Sequence, residues 1–117
     1  MDSKRALLDW LEQLKASSKI TIVEGKKDKQ ALTDAGVKQV VSLKGPLFCI
    51  VEEVSKYTKD VILLTDLDKE GKKLYACLSR DFQSQGVRID NYFREFLFRN
   101  TRLRQIEGLP SYIDSLD

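Results

Sequence analysis

The sequence predicts an α/β fold. It is read as a four-stranded, mostly parallel sheet flanked by helices on both faces, with an extra helix at the N-terminus. Three observations carry this. Val61-Ile62-Leu63-Leu64 is a short, unbroken apolar run of the kind a strand shows when both faces are buried, as inside a parallel sheet. Strand-like and helix-like stretches alternate along the chain, which implies parallel strands joined by right-handed crossovers. The apolar run stops at Thr65-Asp66-Leu67-Asp68, so carboxylates stand where a buried strand ends and a helix begins. That edge is where open α/β sheets take their ligands.

The elements follow in order. Helix one is expected over 4–16, with Ser3 as N-cap, Leu7, Leu11 and Leu14 on one face, and Leu8 and Trp10 flanking it. Strand one is the β-branched run Ile20–Val23, ending at Glu24-Gly25. A helix over 27–35 turns Ala31, Leu32 and Ala35 inward and ends at Gly36. Strand two covers about 39–43, and Lys44-Gly45-Pro46 breaks the pattern. Leu47, Ile50, Val51 and Val54 form the core stripe of a third helix. Strand three is 60–65. The fourth helix, about 70–85, repeats Leu74, Leu78 and Phe82 every four residues and stops at Gly86. Strand four is about 87–92. Beyond it the pattern allows a short helix over 95–100, a turn at Gly108-Leu109-Pro110, and a last helical turn docked by Tyr112, Ile113 and Leu116.

A chain of 117 residues is the size of one domain, expected over 1–117, with a motif core at about 20–92 and a basic C-terminal tail at 93–117. Hydrophobic content of 42% and charged content of 32% fit a folded globule. No stretch is apolar enough to span a bilayer and none reads as a signal peptide, so a cytoplasmic protein with no membrane partner is expected. Cys49 and Cys77 are read as two buried thiols. Histidine is absent, which excludes a Ser-His-Asp triad, a Cys-His pair and a histidine metal cage. Acid–base or metal chemistry must then rest on carboxylates, lysines or tyrosines. Net charge is only +2, but five arginines (Arg88, Arg94, Arg99, Arg102, Arg104) face only Asp90 and Glu95 between 88 and 104.

Two strand ends carry acid: Glu24-Gly25, and Asp66-x-Asp68-x-x-Gly71. If strands one and three are neighbours, three carboxylates converge, and their repulsion calls for a cation. Mg²⁺ suits such a site, because it prefers oxygen ligands and completes its shell with waters and phosphate; Mn²⁺ is the alternative. Part of the pattern also has a purely local explanation: Asp68 can cap the next helix, and Glu70 can favour its dipole. Asp66 has no such explanation, since a cap uses one side chain.

Ile22-Val23-Glu24-Gly25-Lys26-Lys27-Asp28 and Leu63-Leu64-Thr65-Asp66-Leu67-Asp68-Lys69-Glu70-Gly71 together resemble the Toprim domain. That Rossmann-like domain is shared by type IA and type II topoisomerases, bacterial-type primases, overcoming-lysogenization-type nucleases and recombination-repair proteins. The resemblance covers about 20–92. The size of the chain and its Glu107-Gly108-Leu109 ending are similar to stand-alone small Toprim proteins and, more loosely, to 5S-ribosomal-RNA maturation nucleases. The resemblance implies Glu24 as a general acid–base residue, Asp66 and Asp68 as metal ligands with Glu24 beside them, and Gly25 and Gly71 as motif glycines. The chain has no room for the separate tyrosine domain of a topoisomerase or the template and zinc domains of a primase. Tyr57, Tyr75, Tyr92 and Tyr112 are read as packing residues.

Lys26 and Lys27 follow the glutamate, and Lys69 and Lys72 follow the aspartates, at helix starts where lysine gains nothing from the dipole. They are read as nucleic-acid contacts, with solvated helix faces as the equal alternative. Arg94, Arg99, Arg102 and Arg104 are assigned to phosphate contacts, with Tyr92, Phe93, Phe96 and Phe98 as stacking surfaces or core. The expected function is Mg²⁺-dependent cleavage of RNA or DNA. The alternative is a non-catalytic module binding nucleic acid or protein within a nucleic-acid-processing complex. A phosphorelay receiver fits less well, because strand one offers one acid and there is no strand five. A haloacid-dehalogenase-like phosphatase places its Asp-x-Asp after the first strand, not the third.

Overall fold

The computed structural model describes residues 3–117; Met1 and Asp2, where the expected domain begins, lie outside them. The elements are α1 (Ser3–Ala16), β1 (Ile20–Val23), α2 (Lys26–Asp34), β2 (Val40–Ser42), α3 (Leu47–Ser55), β3 (Asp60–Leu64), α4 (Lys69–Ser84), β4 (Arg88–Asp90), α5 (Tyr92–Asn100), a 3₁₀ turn (Ile106–Gly108) and α6 (Leu109–Ser115). The strand order is β2-β1-β3-β4, and all three pairings are parallel. The adjacency that brings the acids together is therefore present. Val23 is in register with Leu64, so Glu24 and Thr65 leave the sheet side by side.

The sheet is buried on both faces because its side chains alternate. Ile62 and Leu64 of β3 point into a core with Leu7, Trp10 and Leu14 of α1, Leu32 of α2, and Phe93 and Leu97 of α5. Val61 and Leu63 point the other way, toward Val51 and Val54 of α3 and Leu78 and Phe82 of α4. The unbroken apolar run 61–64 is the sequence trace of this two-sided burial. Gly36 and Gly86 follow α2 and α4 with φ of 102° and 78°, a conformation glycine adopts without a Cβ clash.

Several expectations need correction. Trp10 is core rather than flank: it is 1% exposed, and its indole N–H donates to the Phe93 carbonyl at 3.0 Å. Leu8, expected beside it, is 41% exposed. Ser3 lies within the helix and is not the cap before it. Neither thiol is buried as expected. Cys49 is exposed, one position off the inward stripe of α3, and Cys77 is intermediate beside the buried Leu78. Tyr57 is 76% exposed, while Tyr112 packs on the first core. Tyr92 opens α5 instead of ending β4, because Asp90 Oδ1 accepts its N–H and turns the chain.

The C-terminal stretch is not a loose arm. Leu103, Ile106 and Leu109 are buried in the first core, and α6 leans Tyr112, Ile113 and Leu116 on it. Among the described residues, no helix is long and apolar enough to cross a membrane.

Candidate active site

Glu24 and Asp66 meet at the carboxyl ends of β1 and β3. Glu24 Oε2 accepts the Asp66 N–H at 2.7 Å, a charge-assisted bond across the two strand ends. Asp66 turns its own Oδ1 the other way, to accept the Ile106 N–H at 3.0 Å. Asp68 caps α4, its Oδ1 accepting the Gly71 N–H at 2.8 Å. Capping thus explains one oxygen of Asp68 and nothing of Asp66.

The loop between β3 and α4 is held from several sides. Thr65 is fully buried, and its hydroxyl donates to the Gly71 carbonyl at 2.8 Å. Gly71 lies so close to the loop that an added Cβ would sit 1.9 Å from the Asp66 carbonyl oxygen. Only glycine fits there. Arg94 of α5 donates from Nε to the Thr65 carbonyl at 3.1 Å and from Nη2 to the Asp66 carbonyl at 2.8 Å. Its guanidinium lies 4.9 Å from the centre of the Tyr75 ring.

A segment of the C-terminal stretch closes over the acids. The Leu67 N–H donates to the Arg104 carbonyl at 2.7 Å, next to the Ile106–Asp66 bond. Asp28, only 6% exposed, completes the closure: Oδ1 accepts the Glu107 N–H at 2.8 Å and Oδ2 the Gly25 N–H at 3.0 Å. Asp28 was not singled out from the sequence. The signal was available in its spacing, since an acid at the third helical position reaches back to the backbone N–H at the helix start.

The electrostatics follow from this crowding. Burial pushes the Asp66 carboxyl up to about 6; the Ile106 N–H opposes the shift, and the charges of Asp28, Glu24 and Asp68 add to it. Glu24 is also raised, first by burial, against the Asp66 N–H and with the charges of Asp68 and Asp28. Asp28 is raised by burial, opposed by its two backbone donors. The acids therefore repel one another; among the described residues the ion pairs do not include them, and the charge of Arg94 offsets part of the shift at Glu24.

A divalent cation would relieve that repulsion. Among the described residues, Glu24 Oε1, Asp66 Oδ2 and Asp68 Oδ2 accept no hydrogen bond. They are hard oxygen donors, the kind Mg²⁺ and Mn²⁺ take. No group of three or more ligating side chains stands at metal-holding spacing among the described residues. The donors thus fit an open oxygen site that waters and a substrate phosphate complete, and they do not fit a closed protein cage.

The basic residues divide into two sets. Lys69, Lys72, Arg94 and Arg104 border one groove with Asp68, between α4, α5 and the Arg104 segment. Lys26 and Lys27 are exposed at the start of α2 and do not line that groove. Arg99 is paired with Glu95 at 2.8 Å, and Arg88 with Asp60 at 3.0 Å. Arg102 lies outside the groove, its N–H donating to the Tyr112 hydroxyl. The motif glycines also differ. Gly25 has φ −129°, and an added Cβ would only touch Asp28 Oδ2 at 3.4 Å, so it lacks the steric necessity of Gly71.

Comparison with known proteins shows the family and the fold. A sequence profile of the Toprim domain matches residues 19–97. A UPF0292 protein of Methanocaldococcus jannaschii is 37% identical over 115 residues, covering 92% of this chain and 90% of its own. A UPF0292 protein of Methanosarcina barkeri is 31% identical over 94% of this chain and 80% of its own. A solved protein from Aquifex aeolicus superposes with a TM-score of 0.82 at 34% identity, over 87% of this chain and 96% of that one. The primase of Aquifex aeolicus, solved as its zinc-binding and RNA polymerase domains, superposes with a TM-score of 0.58 at 27% identity. That match takes in 92% of this chain and 28% of the primase chain.

Proposed function

The chain belongs to the Toprim domain family, and from that premise we propose that it cleaves phosphodiester bonds of RNA or DNA with Mg²⁺ or Mn²⁺. The observation that carries this reading is the direct Glu24–Asp66 bond, which gathers the acids at the strand ends beside a basic groove. Asp66 and Asp68 would hold the metal with Glu24 at its edge. Bound there, the ion supplies charge stabilisation for a phosphoryl oxygen. Glu24, with its pKa raised and one oxygen free, takes the proton of the attacking water. The water oxygen bonds to phosphorus, the P–O ester bond breaks, and Glu24 returns the proton to the leaving oxygen. Arg94 holds the Asp66 loop in place through its two carbonyls. The test is metal-dependent cleavage of labelled oligonucleotides by wild type, Glu24→Gln and Asp66→Ala. Loss of at least ~100-fold in both variants is expected for an acid–base residue and a metal ligand. Cleavage equal to wild type would refute the assignment.

One observation favours a second reading, a Toprim module that binds without turnover. The Ile106 N–H occupies one oxygen of Asp66, and no three-ligand group is formed among the described residues. Metal-independent binding of nucleic acid with no cleavage in Mg²⁺ or Mn²⁺ would select it.

A further inference from the structure

The groove beside the acids has an asymmetry that cleavage chemistry alone does not require. It encloses about 490 Å³ between α4, α5 and the segment around Arg104. Lys69, Lys72 and Arg104 are exposed on its border, and none of them forms an ion pair among the described residues. Their neighbours differ: Lys73 pairs with Glu70, and Arg99 covers Glu95, the glutamate on the same border. The groove therefore keeps uncompensated positive charge at the side of Asp68.

Phe98 lines the same groove. It is 61% exposed and shares none of the ring contacts that join Trp10, Tyr92, Phe93 and Phe96. An isolated exposed aromatic is unremarkable on its own. One set into a cationic groove offers two kinds of recognition at once, a flat apolar face and anion contacts.

We propose that this groove binds an unpaired nucleotide of single-stranded RNA or DNA, with its base stacked on Phe98 and the backbone phosphates held by Lys69, Lys72 and Arg104. The proposal rests on the nucleic-acid reading above and adds the strandedness of the substrate. A base stacks on a side chain only when its own face is free, which a duplex interior denies and a single strand, loop or frayed end provides. Stacking is tolerant of base identity, so sequence preference is weak. The groove borders Asp68, so a strand seated in it delivers an adjacent phosphodiester to the acids.

The experiment is a fluorescence-anisotropy titration in EDTA, where cleavage is suppressed. Labelled oligo(dT), oligo(rU) and a duplex of equal length are compared for wild type, Phe98→Ala, Phe98→Trp and Lys69→Ala/Lys72→Ala. The single strands are expected to bind more tightly than the duplex, and their order reports whether RNA or DNA is preferred. Phe98→Ala should weaken single-strand binding ~10-fold, within the range of one lost base stack, and leave the salt dependence unchanged. The double lysine variant should lower the salt slope. Phe98→Trp should keep affinity, and the single strand should quench its emission, while Trp10 is buried and reports nothing. Equal loss of single-strand and duplex binding in Phe98→Ala, or no loss in either, would overturn the proposal. If that happens while Asp66→Ala still abolishes cleavage, the groove inference falls and the nuclease reading stands. Tryptophan quenching by single strands without cleavage in any metal would support the groove and remove the nuclease.

Discussion

Glu24 and Asp66 lie 42 positions apart, yet the Glu24 carboxylate accepts the Asp66 amide at 2.7 Å. The parallel pairing of β1 with β3 makes this possible, and the consequence is chemical as well as structural. One oxygen of Glu24 fixes the Asp66 loop, and among the described residues the other accepts no hydrogen bond.

Glutamine and alanine at position 24 should therefore separate two roles. Glu24→Gln keeps an oxygen that can accept the Asp66 N–H, so stability should change by less than about 1 kcal/mol while cleavage is lost. Glu24→Ala leaves that amide without its partner and should cost about 1–2 kcal/mol. Urea denaturation of both variants beside the cleavage assay checks this. Equal destabilisation would mean that the bond contributes nothing.

The two motif glycines should respond differently to alanine. At Gly71 a methyl group meets the Asp66 backbone, which cannot move without dragging the acid loop, so Gly71→Ala should cost about 3 kcal/mol or more. At Gly25 the backbone is extended and the nearest neighbour is at ordinary contact distance, so Gly25→Ala should cost less than about 1 kcal/mol. Thermal denaturation of the pair, read as a difference, decides it.

Acid should favour the metal-free fold through Asp66. Its carboxyl titrates at about 6 in the fold against an ordinary value of 3.8, so the folded chain holds the proton more tightly. This contribution is complete below the unfolded value and is lost as pH rises through the folded one. Asp66 is only partly buried, and solvent screening reduces its size to on the order of 1 kcal/mol. In metal-free buffer Asp66→Asn should exceed wild type by that amount near pH 8, and the gap should close toward pH 4. A gap independent of pH would show that Asp66 carries no such penalty.

Asp28 should act as the latch of the C-terminal segment. Asp28→Ala releases the Gly25 and Glu107 amides together and should cost about 2 kcal/mol. Amide hydrogen exchange gives the sharper readout: Ile106 and Glu107 should exchange faster while the β3 amides keep their protection. Unchanged exchange at Glu107 would mean that core packing of Ile106 and Leu109 holds the segment without the carboxylate.

Legibility followed the range of each interaction. The run Val61–Leu64 announced a central strand because burial on both faces leaves an unbroken apolar pattern, and the acids after it were visible as polar residues at a strand end. The order β2-β1-β3-β4 was needed only in part, and the adjacency of β1 and β3 was enough to bring Glu24 to Asp66. Trp10 was misjudged because its partner, the Phe93 carbonyl, is 83 residues away. The partners that the C-terminal segment brings to Asp28 and Asp66 were invisible for a similar reason. Ile106 and Glu107 contribute backbone N–H groups, which every residue has, so no side chain marks them. Cys49 was misread as buried from the apolar run around it, although the stripe Leu47, Ile50, Val51 and Val54 already left it off the inward face. Arg94 was read as a phosphate contact from its charge, while its two bonds to Thr65 and Asp66 carbonyls come from the packing of α5 on β3.

The most direct test of the account is a Mg²⁺ titration followed by amide NMR, comparing wild type with Asp66→Asn/Asp68→Asn. Asparagine keeps an oxygen to accept the Ile106 and Gly71 amides, so the fold is retained while the charge is removed. Shifts are expected only at Glu24–Lys26, Thr65–Gly71 and Ile106, all absent from the double variant. Identical shifts in the variant, or none in wild type even with a short oligonucleotide supplying the phosphate, would contradict a metal site at these carboxylates.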